Sequence, residues 1–251
     1  MIGDISGSAG VKAVAFGLSK LKKDYNPSIV IANAENSASG YGISKEACEQ
    51  LFRFGVDVIT TGNHAFECAA DVGIFDQYDR LLRPDNFYSG NIGHGSCVFE
   101  TDDRLKIGVV NLHAPSGIGA CDSLYSVGLK TISRIRKETP IIFIDLHGEI
   151  PSQKEAFSFE VAGKATAVCG THTHVQTLDE KIVPGGTAYI TDLGMTGVQD
   201  SIIGGSIELS LQRMLTSVPI KVPPAEGDGR IMGCAIEFDG ETGLALSIRR
   251  L

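Results

Sequence analysis

Short, nearly unbroken apolar runs recur along this chain, and most stop at a residue carrying an oxygen or nitrogen donor. Ile29 to Ala34, Val56 to Thr60, Ile141 to Leu146 and Ala165 to Cys169 lack polar alternation, as expected of strands buried on both faces. Between such runs the pattern shifts to a helical period. Ser44 caps a helix with apolar positions at Ala47, Leu51 and Phe54, and another helix spans about Leu124 to Lys137, stopping before Pro140. At the start, Met1 to Asp4 reads as the end of an unusually short strand, followed by a turn at Ser6 to Gly10 and a helix over about Val11 to Lys23. Cys97 to Asn111 reads as a hairpin around Asp102-Asp103, and Lys181 to Pro184 with Thr187 to Thr191 as a second one with a two-residue turn at Gly185-Gly186. Asp192 to Gly197 reads as a Gly-rich loop, Ser206 to Ser217 as a helix, and Ile231 to Phe238 with Leu244 to Arg250 as a terminal hairpin. Ala114 to Asp122, rich in small residues, reads as a surface loop at the rim of a site. Strands alternating with helices predict an α/β fold, and the absence of repeats or linkers predicts one domain over residues 1–251.

Composition narrows the function without deciding it. With 43% apolar and 21% charged residues the chain is of ordinary globular type. No apolar run approaches the ~18 residues of a membrane span, and no basic leader precedes an apolar one, so the expected location is the cytoplasm. The six cysteines are scattered without a CxxC pair, as reduced core residues would be. A net charge of -8, with no long Lys/Arg cluster, argues against an extended nucleic-acid-binding surface.

The candidate chemistry lies where the strands end. Gly170-Thr171-His172-Thr173-His174 sets two imidazoles two residues apart after an apolar strand, so that strand alternation aims both at one point. Such a pair alone is more often a surface or core feature than a metal site. Its company changes that: strands close on Asp4, Glu35, Asn63 and His147 as well, and the carboxyl edge of an open α/β sheet is where ligands collect. Asn63 alone would pass for a left-handed turn residue. Gly7-Ser8-Ala9-Gly10 fits neither GxGxxG nor GxxxxGK[ST], which argues against a nucleotide-phosphate loop. Carboxylates, an amide and imidazoles without thiolate suit Mn, Fe, Zn or Mg, and two such ions would outweigh the carboxylates and attract phosphate.

The ordered blocks Ile2-Gly3-Asp4-Ile5, Ala34-Glu35-Asn36, Gly62-Asn63-His64, Arg83-Pro84-Asp85-Asn86-Phe87, Ile144-Asp145-Leu146-His147, Gly170 to Thr177 and Thr191 to Gly197 run almost end to end. Through them the chain resembles the bacterial calcineurin-like metallophosphoesterases of the YmdB type, a family of 2',3'-cyclic-nucleotide phosphodiesterases. The resemblance implies a sandwich of two mixed β-sheets flanked by helices, with the first strand shortened here, two iron or manganese ions, and a homo-oligomer. It places one metal on Asp4, Glu35, Asn36 and His174 and the other on Glu35, Asn63, His147 and His172, with Glu35 bridging and His64 as proton donor. Asp145 and Asp192 are then expected to orient ligands or loops from behind, and His94 and His113 to be structural or rim residues. The implied activity is hydrolysis of a small cyclic nucleotide by metal-activated hydroxide. Two alternatives stand beside it: a phosphomonoesterase on nucleotides or phosphoproteins, and a non-catalytic regulator that binds RNA or protein. The chain also departs from the family pattern. Met1 stands directly before Ile2, so the short strand is expected to hold Asp4 loosely. His113-Ala114 replaces Gln-Gly, and Ala162-Gly163-Lys164 replaces Asp-Gly-Arg, exchanging a planar fork for a point charge.

Overall fold

The computed structural model describes residues 1–115 and 121–251, so the expected rim loop lies outside the described residues over 116–120. In chain order the elements are β1 (Asp4–Ile5), α1 (Gly7–Tyr25), β2 (Ile31–Asn33), α2 (Lys45–Phe54), β3 (Val58–Thr60), α3 (Ile74–Gln77), β4 (Leu81–Leu82), β5 (Ser96–Glu100) and β6 (Lys106–Ala114). There follow α4 (Leu124–Ile135), β7 (Ile142–Gly148), α5 (Pro151–Glu160), β8 (Ala167–Thr171), β9 (Lys181–Val183), β10 (Thr187–Ile190), β11 (Met195–Val198), α6 (Ile207–Thr216), β12 (Gly229–Arg230), β13 (Cys234–Phe238) and β14 (Ala245–Arg250).

The hydrogen bonds group these strands into a six-stranded mixed sheet, β5-β6-β7-β8-β10-β9, and three small sheets, β2-β3-β4, β1-β11-β12 and β13-β14. The expected second sheet is therefore broken into pieces, because it is joined through single bridges at Ile2, parallel to Ala32 and antiparallel to Gly233. Ile31, Val58 and Leu82 from the small sheets meet Val109, Phe143 and Ala167 of the large one in a common core. Outside these layers, α1 and α2 bury Val11, Val14 and Leu51 on one side, while α4 and α5 bury Ile132, Ile135 and Phe157 on the other. The continuous apolar runs are strands covered on both faces for this reason.

Further sequence expectations are corrected. The turn at Ser6 to Gly10 is already helix, since α1 begins at Gly7 and its closely packed Gly10 lies where a Cβ would stand 2.4 Å from the Thr196 carbonyl. The loop over Asp192 to Gly197 becomes strand from Met195, paired in parallel with β1 through Asp4↔Met195 and Ile5↔Thr196. The turn between β9 and β10 holds three residues, Pro184 to Gly186, because Val183 pairs with Thr187. The first strand is short, as expected, yet Asp4 is not loosely held. It is fully buried, its Oδ2 accepts the His172 N–H at 3.0 Å, and Gly3 N–H donates to Met232 O at 2.9 Å.

Candidate metal centre

Two parallel strand pairs from different sheets, β2 with β3 and β7 with β8, deliver six of the candidate ligands at or just beyond their carboxyl ends, and β1 carries Asp4. Glu35 and Asn36 follow β2, Asn63 and His64 follow β3, His147 is near the end of β7, and His172 and His174 follow β8. The fold leaves little slack here. A Cβ on Gly62 would fall 2.2 Å from the His147 ring, and one on Gly170 would fall 1.8 Å from the Thr191 carbonyl.

His147 is the hub. Its Nε2 lies 2.9 Å from Glu35 Oε1, 2.9 Å from Asn63 Oδ1 and 3.0 Å from His172 Nδ1. Glu35, His147 and His172 present ligand atoms that all fall within 4.8 Å of one another. On the other side of Glu35, Asn36 Nδ2 lies 3.4 Å from Glu35 Oε1 and 3.1 Å from His174 Nε2, and His174 Nε2 is 3.9 Å from Asp4 Oδ1. The structure thus brings together all seven candidate ligands, in two groups that share Glu35. The sequence reading erred on one point. His172 and His174 lie past the end of β8 with φ of 104° and 65°, so they do not share a strand face, and each serves a different group.

The outer nitrogen of each imidazole is occupied, which fixes where the inner one points. Thr171 Oγ1 donates to Asp145 Oδ1 at 2.6 Å and so accepts from His147 Nδ1 at 2.9 Å. His172 Nε2 faces Glu149 Oε2 at 3.2 Å, and His174 Nδ1 donates to Ile203 O at 2.8 Å. Each ring then turns its other nitrogen inward: His147 Nε2 toward Glu35 Oε1 and Asn63 Oδ1, His172 Nδ1 toward His147 Nε2, and His174 Nε2 toward the Asn36 amide and Asp4 Oδ1. Buried Asp4 Oδ1 has no hydrogen-bond partner at all. Imidazole nitrogens and carboxylate oxygens converging on one place are what a cation satisfies in exchange for the His147 proton, and metal-ligating histidines are held in this manner by outer partners. The residues present therefore fit a metal centre.

The electrostatics agree. Burial pushes Glu35 up, but the His147 and His64 groups overcome it and hold the carboxyl at about 2. Burial drives His147 down, yet Glu35, Asp4 and Asp145 bring it to about 9. Asp4 is raised to about 6 by burial against the pull of His174 and His147. His172 and His113 are lowered to about 4, chiefly by burial and by His147. Of these groups only His147 titrates between its ordinary 6.5 and about 9, and a folded value above the unfolded one means stability present at pH 6.5 and lost as pH rises through 9. The metal-free protein is expected to lose several degrees of Tm across that window, read by scanning calorimetry, while metal-loaded protein does not. An unchanged Tm would remove the His147–Glu35 pair as the cause.

Sequence reading missed the parts that hold this loop. Lys154 of α5 is fully buried and donates to Thr171 O at 2.8 Å, Thr191 O at 3.1 Å and Asp192 Oδ2 at 3.2 Å, and the same Asp192 oxygen accepts Thr173 N–H at 3.0 Å. Asp145, as expected, works from behind, accepting from Thr60, Asn33 and Thr171. Replacing Lys154 with Met strands the Asp192 charge and is expected to cost about 3–5 kcal/mol, with a Tm lower by about 10 °C in calorimetry. His113 presents no ring nitrogen to the ligand side-chain atoms: its Nδ1 meets the His147 carbonyl at 3.0 Å, and the two rings lie tilted with centroids 6.0 Å apart. Lys164 reaches only Glu160, through its carbonyl at 3.0 Å and its carboxylate at 3.4 Å.

His64 stands beside the centre with a ring that touches none of the seven. Its backbone N–H donates to Glu35 Oε2 at 3.0 Å, its Nδ1 meets Glu67 Oε1 at 2.7 Å, and Tyr41 packs edge-on at 4.9 Å. The Nδ1 contact leaves Nε2 as the nitrogen available to a substrate.

Comparison with known proteins gives the arrangement a context. A family model described as "YmdB-like protein" matches residues 1–251. The chain is similar to the 2',3'-cyclic-nucleotide 2'-phosphodiesterase of Bacillus subtilis (strain 168), at 38% identity over 250 residues that span 100% of this chain and 94% of the relative. It is also similar to a putative phosphatase/phosphodiesterase of Mycoplasma pneumoniae, at 36% identity over 84% of this chain and 76% of that one. Among solved structures, a hypothetical protein from Thermus thermophilus superposes with a TM-score of 0.92 at 32% identity, covering 100% of this chain and 96% of that chain. A novel phosphatase from Mycoplasma pneumoniae gives the same TM-score of 0.92 at 32% identity, over 100% and 90%.

Proposed function

Since this chain belongs to the YmdB-like protein family, we propose that it is a dinuclear metal-dependent phosphodiesterase that hydrolyses 2',3'-cyclic nucleotides, built as one calcineurin-like metallophosphoesterase domain. The observation that carries this reading is the inward turn of three imidazoles, His147 toward Glu35 and Asn63, His172 toward His147 and His174 toward Asn36, with Asp4 Oδ1 unpartnered beside them. Asp4, Glu35, Asn36 and His174 would hold one ion and Glu35, Asn63, His147 and His172 the other. Mixed oxygen and nitrogen donors without thiolate suit iron or manganese. When bound, such ions supply Lewis-acid polarisation of phosphoryl oxygens and acidify a water at neutral pH.

The chain's own residues do the rest. Glu35, shared by both groups, sets their spacing. Thr171, Glu149 and the Ile203 carbonyl keep each imidazole in the tautomer that leaves its inner nitrogen free. His64 gives a proton from Nε2 to the leaving ribose oxygen, with Glu67 steadying the opposite side of the ring. A homo-oligomer is part of the reading, supported by the exposed apolar residues Ile207, Leu211, Met214 and Leu215 along α6. No described helix is long and apolar enough to cross a membrane, in keeping with a cytoplasmic enzyme.

The relatives named as phosphatases favour a second reading, hydrolysis of phosphomonoesters at the same centre. Elemental analysis of purified protein, with turnover of 2',3'-cAMP measured against p-nitrophenyl phosphate, separates the two. Two metals per chain and preference for the cyclic substrate are expected. Preference for the monoester would install the second reading, and absence of both metal and turnover would end both.

A further inference from the structure

Tyr41 stands at the mouth of the centre as an exposed aromatic ring, 41% accessible, its centroid 4.9 Å from that of His64 in an edge-on arrangement. The aromatic side chains beneath are used otherwise, since Phe66 and Phe87 pack on each other and against the core. Tyr41 belongs to the loop that sets out from Glu35 and Asn36 and leads into α2. Gly40 and Gly42, with φ of 95° and 78°, flank it, and Ala38 N–H closes the loop on Gly42 O at 3.1 Å. A Cβ on Gly42 would stand 2.7 Å from Cys68 N, so the loop lies hard against the segment that carries His64. The ring is thus displayed at a fixed place.

A second apolar side chain borders the same mouth. Ile203 is 61% exposed, and its carbonyl accepts from His174 Nδ1 at 2.8 Å, while His174 Nε2 lies 3.1 Å from Asn36, where the Tyr41 loop begins. Pro224 joins the two from below: a Cβ on Gly40 would stand 3.2 Å from it, and Gly205 bridges to it. Ile203 and Gly204 form a two-residue turn with φ of 46° and 94°, closed by Ile202 and Gly205, which exchange hydrogen bonds of 3.1 and 2.9 Å. Asn-Gly is what such a turn favours, and a β-branched residue there is strained. The hydrogen bond to His174 explains the backbone but not the isoleucine. An apolar side chain held out in solvent on strained backbone is suited to contact with a ligand.

We propose that Tyr41 and Ile203 are the two sides of a subsite for the base of the substrate, the flat heterocycle lying between the phenol ring and the isoleucine side chain. This rests on the cyclic-nucleotide reading of the centre. In a 2',3'-cyclic nucleotide the base hangs from the sugar carbon next to the one bearing the 2' oxygen, so a proton donor at that oxygen has the base for a neighbour. His64 is that donor, and Tyr41 is the ring beside it. Stacking tolerates any base, because every base has a π-face. The subsite therefore selects nucleotides over plain phosphate esters without choosing strictly among bases.

Isothermal titration calorimetry of the metal-loaded protein tests this with adenosine 3'-phosphate and with glycerol 2-phosphate, which carries its phosphate on a secondary oxygen but has no base. Tyr41→Leu is expected to weaken adenosine 3'-phosphate about 10-fold, within the range of one base–aromatic stack, and glycerol 2-phosphate by less than about 2-fold. Tyr41→Phe, which keeps the ring, is expected to restore the affinity for the nucleotide. Ile203→Asn, whose backbone suits the turn better, is expected to weaken the nucleotide in the same sense as Tyr41→Leu. On 2',3'-cAMP the loss in Tyr41→Leu falls on KM, whereas a ring that merely propped His64 would lower kcat and leave nucleotide binding unchanged. Unchanged affinity for adenosine 3'-phosphate in Tyr41→Leu or in Ile203→Asn, with 2',3'-cAMP turned over by the wild type, overturns the subsite and spares the cyclic-nucleotide reading. A wild type that does not turn over 2',3'-cAMP overturns that reading and the subsite with it.

Discussion

Glu35→Gln is expected to empty both metal positions together and to abolish turnover while leaving the fold intact. Among the described residues Glu35 is the carboxylate that lies within hydrogen-bonding distance of ligand side chains in both groups. Its Oε1 lies 2.9 Å from His147 Nε2 and 3.4 Å from Asn36 Nδ2, and its Oε2 accepts the His64 N–H at 3.0 Å. Gln keeps the shape and the capacity to accept that N–H, so the loop after β3 stays in place. What it lacks is the charge, held on in the native protein down to about pH 2 by the His147 and His64 groups that outweigh its burial. An outer partner of a metal ligand is worth about 10- to 100-fold in affinity. A shared ligand is expected to exceed that, so Asp145→Asn, which touches only Thr60, Asn33 and Thr171, serves as the weaker comparison. Metal content by elemental analysis beside activity decides it. Two metals retained with full activity would refute the shared role of Glu35.

How much of this was legible in the sequence depends on where the determining contacts lie. The runs that became β2, β3, β7 and β8 announced themselves because both faces of each strand are covered, so hydrophobicity alone marks them. The donors at their ends were legible for the same reason: a polar residue that interrupts such a run needs a purpose. By contrast α5 escaped notice. Its buried residues are Lys154, Phe157 and Ser158, and a lysine and a serine inside erase the apolar period by which a helix is recognised. The same Lys154 is intelligible only beside Asp192, a partner 38 residues away in sequence.

β11 was hidden in another way. Met195 to Val198 contains Gly197 and Thr196, which read as loop chemistry, and it is a strand only because β1 supplies a parallel edge from the far end of the chain. The outer partners of the histidines show the limit most clearly. Glu149 is an exposed residue with no motif around it, and the Ile203 carbonyl belongs to backbone with a φ of 46°, so neither bears a mark that local sequence reading detects. The identities of His172 and His174 were readable, but their aim was not, because left-handed backbone replaced the strand alternation that the spacing suggested.

His64→Ala is expected to lower turnover of a cyclic nucleotide by about 10² to 10⁴ with metal content unchanged. The separation of the two readouts follows from the geometry. The only link between residue 64 and a candidate ligand is its backbone N–H on Glu35 Oε2, which alanine retains. The ring itself touches Glu67 and Tyr41, not any of the seven ligands. What alanine removes is therefore a proton source alone. A proton source matters in proportion to how badly the leaving group needs one, so the deficit should shrink sharply on bis(p-nitrophenyl) phosphate, whose leaving phenolate departs without protonation. Glu67→Gln, which alters the orientation of the ring while leaving the imidazole in place, is expected to fall between wild type and His64→Ala on the cyclic substrate. A His64→Ala variant equally impaired on both substrates would point to ring packing against Tyr41 instead, and one that retained full turnover would remove His64 from the chemistry.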